Sequence, residues 1–588
     1  MIKMKNKYWL TALLFLLSMS SCEDVRFGDA FLEKPAGDDE NIDLVFSCKE
    51  NAEQALVTVY RTLPDGLIMP SKSLTGDLLE SLTDLNNGTK GYGPIRTVFY
   101  PGQLTASTEG KFQKYNFSGG GGWAGIRAAW VFIENIDRVP DMDVTLKDQR
   151  KAEAKMMIAI HYADMMRHFG GLPKVTRSYL PGDSGEMPRM TVEETVEFII
   201  GLLDDAAPSL PWTVSPMDDG RMTKAAALAL KVRVLLFAAS PLFNDNAPYM
   251  QGDAADAHTI WYGNKDAQRW QDVVDAAMIF LEELRLNGGY QLVNTGNPRI
   301  DFRTAYFNRG NGEVLISTRR QAKYEANAWV AETFFEQCNY GIGNTTLDYV
   351  DMFPMITGDD FDWNNKQHAA YPFFDASNNP VRDPRLYETV LINGDEYQGR
   401  TVETWIGGRE RPQAIYEKKL AASGFCMRKF RQDINTSKGQ FYSWPHLRLP
   451  EVYLSLAEAL NELNRTDEAY GYTKLVRDRI GLPNIPDGLD KDEFREAVLR
   501  ERALEFGYEE VRFFDLIRWK RSDLFSKKLK GLDIFSADGG KTCTYKVFEL
   551  PQTRAWQGTD WNAKWYLSPF PIEEINKKYG LIQNPGWN

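Results

Sequence analysis

The chain has 588 residues, 43% of them apolar and 26% charged, enough apolar side chain to bury a large core. A formal net charge of −12 without any long basic run counts against nucleic acid and anionic lipid headgroups as partners, since both need clustered Lys or Arg. Beyond Cys22 the cysteines Cys48, Cys338, Cys426 and Cys543 are far apart with no Cys-x-x-Cys, so neither a disulfide scaffold nor a zinc site is expected, only small buried thiols.

The amino terminus is basic at Lys3, Lys5 and Lys7, apolar over 9–17, small over Ser18 to Ser21, and reaches Cys22. The apolar run is too short to span a bilayer and has the layout of a secretory signal. Ending at a cysteine, residues 1–21 resemble a bacterial lipoprotein signal peptide, with Cys22 left as the lipidated first residue. Several acyl chains there would give a stable anchor. Glu23 and Asp24 resemble the surface-export signal of such lipoproteins.

Amphipathic helices dominate from there on. Residues 51–63 put Ala52, Ala55, Leu56, Val59, Tyr60 and Leu63 on one face. Further helices are expected over 123–139, over 149–169 with a Gly170-Gly171-Leu172-Pro173 stop, and over 192–207, 223–239 and 268–286. Residues 450–463 and 467–480 form a pair of roughly the length of a tetratricopeptide hairpin. A long charged helical stretch follows over 491–518, with a break near Gly507. Strands are few and short, at 314–318 and 546–550. Between 288 and 444 the chain reads mostly as loop with interleaved aromatics, which points to function rather than to disorder.

Short catalytic motifs have bland readings. Gly182-Asp183-Ser184-Gly185 lies between helices and reads as a turn, not as a serine nucleophile. Gly120-Gly121-Gly122-Trp123-Ala124-Gly125 lacks a βαβ context and reads as a glycine loop feeding a helix. The five histidines have no metal spacing; His161 and His168 share a helix with no third ligand, and packing is expected for them. No metal, cofactor or catalytic group is expected.

Six segments in order resemble the SusD/RagB family of outer-membrane glycan-binding lipoproteins. They are Ala152-Glu153-Ala154 through Phe169-Gly170-Gly171-Leu172-Pro173, Arg382-Asp383-Pro384-Arg385-Leu386, Leu447-Arg448-Leu449-Pro450-Glu451 through Ala457-Glu458-Ala459, Val476-Arg477-Asp478-Arg479-Ile480, Glu501-Arg502-Ala503-Leu504-Glu505 through Arg518-Trp519, and Pro571-Ile572 through Gln583-Asn584-Pro585-Gly586-Trp587. The resemblance implies a mainly α fold: tetratricopeptide-like helix pairs in an α-α superhelix, four of them, with a long loop-rich ligand-binding region and few short strands. Residues 22–300 would form an N-terminal helical region and 301–588 a C-terminal region, in one compact unit. It also implies an outer-membrane address and docking as a lid on a SusC-like TonB-dependent transporter. The mixed charges of Arg502, Glu505, Arg512, Asp515 and Arg518 read as an ionic network rather than as an acid–base site.

A sugar offers apolar C–H faces and polar edges, so a site needs exposed aromatic rings beside amides and charges on well-held loops. Two stretches qualify, and the family's sites come from comparable regions. The first is 84–100, with Asp84, Asn86, Asn87, Tyr92, Arg96 and Tyr100. The second is 319–363, with Arg320, Tyr324, Asn327, Trp329, Tyr340, Asn344 and Trp363. Trp123, Trp270 and Trp519, on amphipathic helices, are expected in the core. Capture of oligosaccharide for a transporter is the expected function; a surface glycoside hydrolase and a peptide-binding import lipoprotein are the alternatives.

Overall fold

The structure, a computed structural model, describes residues 39–67, 79–88, 95–108, 122–179, 183, 185–323, 343–412, 422–431, 433, 439–551, 554–557 and 561–587. Its longer helices are α1 (Lys49–Tyr60), α2 (Gly122–Asn135), α3 (Val144–Phe169), α4 (Val192–Ala206), α5 (Lys224–Ala239), α6 (Gln268–Asn287) and α7 (Pro298–Phe307). After a strand β1 (Val314–Lys323) and its partner β2 (Phe441–Arg448) come α8 (Leu449–Glu462), α9 (Thr466–Arg479), α10 (Lys491–Phe506) and α11 (Arg512–Arg518).

Local chemistry sets the helix starts. Asp143 accepts from Leu146 N to cap α3, while Thr191 with Glu194 and Asp490 with Glu493 form reciprocal capping boxes on α4 and α10. Helix α3 ends at Gly170 (φ 80°). The next residue must also be glycine, because a Cβ on Gly171 would lie 2.0 Å from the Met190 carbonyl oxygen. Helices α2 to α6 pack each against the next, α6 then lies on α8, and α8 carries α9 and α10. This is the tetratricopeptide-like helical stack expected. One apolar core runs through it, from Phe46 to Trp587. Among the described residues no helix is long and apolar enough to cross a membrane.

The break expected near Gly507 is present: α10 stops at Phe506, Tyr508 and Glu510 take positive φ, and a Cβ on Gly507 would collide with the Tyr349 hydroxyl at 1.8 Å. Three other expectations need correction. The strand near 314 is longer than the apolar run suggests and pairs antiparallel with β2, with Ser317 opposite Pro445 and Thr318 opposite Trp444. One face of a two-stranded ribbon can meet water, so the polar residues after Thr318 do not end it. The region 288–444 is therefore less loop-like than expected: it also holds α7 and a short helix at Leu347–Met352. Finally, Cys426 is disulfide-bonded, whereas Cys48 and Cys543 are free thiols. Sequence spacing carries no information on cysteines joined by the fold, and a disulfide suits an exported protein. The second strand prediction is met by β4 (Thr544–Glu549), which pairs with a strand the sequence did not announce, β3 (Lys530–Phe535), with Leu532 opposite Val547.

The charged motif residues are buried and matched. Glu505 takes the guanidiniums of Arg448 (2.8 Å), Arg479 (2.6 Å) and Arg385 (3.2 Å). Burial opposes its ionisation, but these three cations outweigh it and hold the carboxyl well below the usual range. Arg448 also reaches Glu313 and Glu509, Arg385 reaches Asp383 and Glu501, and Arg502 reaches Asp515. The Arg502–Arg518 stretch is thus a structural clamp, as its mixed charges suggest.

Candidate ligand-binding face

The polar segment 79–88 is held from below. Asp84 accepts two bonds from Arg512, at 3.0 Å from Nε and 2.8 Å from Nη2. Burial raises its affinity for a proton, but the Arg512 charge and hydrogen bonds outweigh that and lower its pKa. Asn86 Nδ2 donates to Ser81 Oγ (2.8 Å), and the Asn86 carbonyl accepts from Arg554 Nη2 (2.7 Å). Tyr100 donates its hydroxyl to the Ser81 carbonyl (2.7 Å) and accepts from Gly88 N (2.9 Å).

Asp84, Asn86, Asn87 and Tyr100 are all fully buried. They are corrected here from ligand contacts to frame residues, because a side chain with no exposed surface cannot stack on or bond a sugar. Asn344 is likewise buried.

The same frame joins the two stretches singled out in the sequence. Asn87 N donates to the Asn344 carbonyl (2.8 Å), Thr346 N to the Leu85 carbonyl (3.0 Å), and Asn86 bridges Thr345. Residue 88 and residue 343 therefore leave the frame side by side. Met427 N donates to the Gly343 carbonyl (2.8 Å), which brings the disulfide-bonded Cys426 segment to the same place. Arg554 and Trp556, the latter 6.4 Å edge-on to the Tyr100 ring, complete it.

Tyr92, Tyr324, Asn327, Trp329, Tyr340 and Cys22 lie outside the described residues, as do the side chains of Arg96 and Arg320. Trp363 is half-buried; it donates to Asp351 (3.1 Å) and packs against Phe361 and Tyr545, none of them in the 84–100 stretch. Burial pushes the Asp351 carboxyl up to about 6. Trp270 is buried and stacks on the half-buried Trp519, and Trp123 packs edge-on against Tyr162, so these three act as packing residues. His161 is buried beside Thr62 Oγ1 (2.9 Å), and His168 packs on Phe514. Asp183 pairs with Arg177, and Ser184 lies outside the described residues. Among the described residues no group of three or more His, Cys, Asp or Glu is placed to hold a metal ion.

Sequence reasoning missed the partners that bury the first stretch. Arg512 and Arg554 are hundreds of residues away, and no local pattern announces their target. It also missed a polar cleft of about 200 Å³ between residues 213–223 and 308–319.

Comparison with known proteins agrees with this architecture. Residues 306–587 match the SusD family model. SusD-like protein P38 of Formosa agariphila is 23% identical over 414 residues, covering 68% of this chain and 71% of that protein. The crystal structure of a SusD-like protein from Bacteroides fragilis superposes with a TM-score of 0.72 at 23% identity, over 92% of this chain and 98% of that one. A second structure from the same species, described as a SusD-like carbohydrate binding protein, gives 0.68 at 21% identity, over 90% and 98%. These similarities support a protein of the SusD/RagB family, with the family model itself matching residues 306–587.

Proposed function

We propose that the protein is a lipid-anchored glycan-binding protein of the outer-membrane surface, which captures oligosaccharides and passes them to a SusC-like TonB-dependent transporter without cleaving them. The observation that carries this reading is the buried frame at 84–88 and 344–346, which gives two aromatic-rich stretches a common rigid root. The carbohydrate-binding description of the Bacteroides fragilis relative supports the same ligand class. The Cys22 signal supports the anchor, and the Cys426 disulfide fits an exported chain. A weak site suffices, because a neighbouring pore raises the effective concentration of captured ligand.

The test is titration of the mature protein with a neutral oligosaccharide panel, with Tyr92→Ala and Trp329→Ala as variants and reducing ends measured in parallel. Saturable binding that weakens in either variant, without new reducing ends, is expected. Reducing-end release would make the protein a hydrolase. Binding of peptides but no sugar would make it a peptide importer.

A further inference from the structure

The loop between the short helix Leu347–Met352 and the Arg382-Asp383-Pro384-Arg385 motif is closed by one buried guanidinium. Arg382 Nε donates to the Phe353 carbonyl (3.0 Å), Nη2 to the Val350 carbonyl (2.9 Å) and Nη1 to the Pro372 carbonyl (3.2 Å). The same cation thus holds both ends of the loop. Backbone bonds repeat the closure, from Ile356 N to the Val381 carbonyl (2.8 Å) and from Asp383 N to the Pro354 carbonyl (2.9 Å).

Aromatic rings stand on this support. Phe361 is the floor, with its ring centroid 4.0 Å from the Arg382 guanidinium. Trp363 meets Phe361 edge-on (4.9 Å, 79°) and donates its indole N–H to Asp351 (3.1 Å), which fixes the ring plane while leaving the side chain only half-buried. Tyr545, half-buried on β4, lies 6.1 Å from Trp363. Tyr371 closes the short helix Lys366–Ala370 and is 44% exposed. That helix is held to the same floor, because His368 stacks on Phe361 (5.5 Å, 21°) and its Nδ1 accepts from Asp362 N (3.2 Å). The surface beside the rings is polar, with Asp362, Asn364 and Gln367 exposed.

We propose that Trp363, Tyr371 and Tyr545 form a second sugar-stacking subsite, apart from the loops rooted at residues 88 and 343, which receives further units of a neutral oligosaccharide. The rings offer apolar faces to sugar C–H groups, and Asp362, Asn364 and Gln367 offer donors and acceptors to hydroxyls. Exposed Asp359 and Asp362 on the same loop disfavour an anionic sugar. The subsite is tied to the first frame by one element: Thr346 caps the helix Leu347–Met352, and five residues on, roughly 7.5 Å along the helix axis, Asp351 holds Trp363. This places the second platform beside the first, where a longer chain gains contacts that a short one does not reach. The proposal rests on the glycan-capture reading and adds to it a place where chain length is read.

Isothermal titration of the mature protein with maltohexaose, cellohexaose, laminarihexaose and xylohexaose tests it, with thermal midpoints read in parallel. For the hexasaccharide that binds, Trp363→Ala and Tyr371→Ala should each weaken affinity about two- to tenfold, the loss of one ring contact. Trp363→Phe, which keeps a ring, should recover part of it. The exposed Tyr371 should leave the midpoint unchanged when it is replaced, so its effect on affinity reads the ligand alone. If affinity is unchanged in both alanine variants but falls in Trp329→Ala, the subsite is overturned and glycan capture survives. If Trp363→Ala lowers midpoint and affinity together while Tyr371→Ala changes neither, Trp363 is a packing residue and the subsite is again overturned. If no hexasaccharide binds the unaltered protein, the subsite falls together with the capture reading.

Discussion

Asp84 separates a ligand contact from a frame residue most sharply. In Asp84→Asn the side chain keeps its size but loses its charge, and Arg512 loses the carboxylate that it meets at 2.8 and 3.0 Å. The Asp84 side chain is wholly buried and that of Arg512 is 6% exposed, so solvent cannot replace the lost partner. Arg512 would then be a buried cation with a neutral amide oxygen in place of the carboxylate, the Leu499 carbonyl at 3.4 Å and the more distant Asp515 charge to offset it. Breaking one side of a buried pair costs about 3–5 kcal/mol, against a total stability of about 5–15 kcal/mol for a typical folded domain. A thermal midpoint lower by several degrees is expected, together with faster inactivation near that temperature, read by differential scanning fluorimetry and timed heat challenge. Oligosaccharide affinity measured well below the midpoint should fall only as far as the roots at residues 88 and 343 loosen. A variant with an unchanged midpoint but abolished binding would refute this reasoning and return Asp84 to the ligand.

Three other outcomes are expected. Tyr100→Phe removes the hydroxyl that bonds the Ser81 carbonyl and Gly88 N, leaving two buried groups unmet at about 1–3 kcal/mol; amide exchange at Gly88, followed by mass spectrometry, should quicken. Gly171→Ala forces a Cβ to within 2.0 Å of the Met190 carbonyl oxygen, so the yield of folded protein and the thermal midpoint should both drop, whereas Gly185→Ala, with nothing within 4 Å, should be neutral. Burial pushes His161 and His446 down to about 4 and about 3, the nearby Arg233 charge adding to the shift at His446. Unfolded histidines titrate near 6.5, so between those values the unfolded chain binds protons that the folded chain refuses. Their contribution, on the order of 3 kcal/mol each, is complete above about pH 6.5 and lost as pH falls toward the folded values. A melting series from pH 8 to 4 should show that decline, and His161→Gln should flatten it.

The helical stack was legible because its signals are local. Residues 192–207 carry a Thr191–Glu194 capping box and a 3.6-residue apolar period, and α4 occupies Val192–Ala206. What escaped depends on partners distant in sequence. Strand β2 contains Pro445 and is preceded by Gly439 and Gln440, and only its pairing with β1 makes it a strand. Asp84, Asn86 and Asn87 have the composition of a solvated loop; Arg512 and Arg554 turn that polarity inward. The cleft escaped for the same reason, since Arg319 meets Asp219 and Gly220 only across the fold.

The ionic core explains how the segments at 84–88 and 343–346 come to have a fixed support. An apolar contact tolerates a slip of an ångström or two, because dispersion and burial are non-directional. A buried carboxylate does not. Glu505 needs Arg385 from one matched segment, Arg448 from a second and Arg479 from a third, and losing any of them leaves charge stranded at low dielectric. The network therefore penalises misregister among segments up to about a hundred residues apart more steeply than it rewards compaction. Arg512 extends the same logic one step further, since the helix that carries it also bears Asp515, bound to Arg502, and its other arm fixes Asp84. A shift of α11 would move the root of the first candidate loop with it, so the position of that root is set by charges in the core rather than by the loop's own sequence.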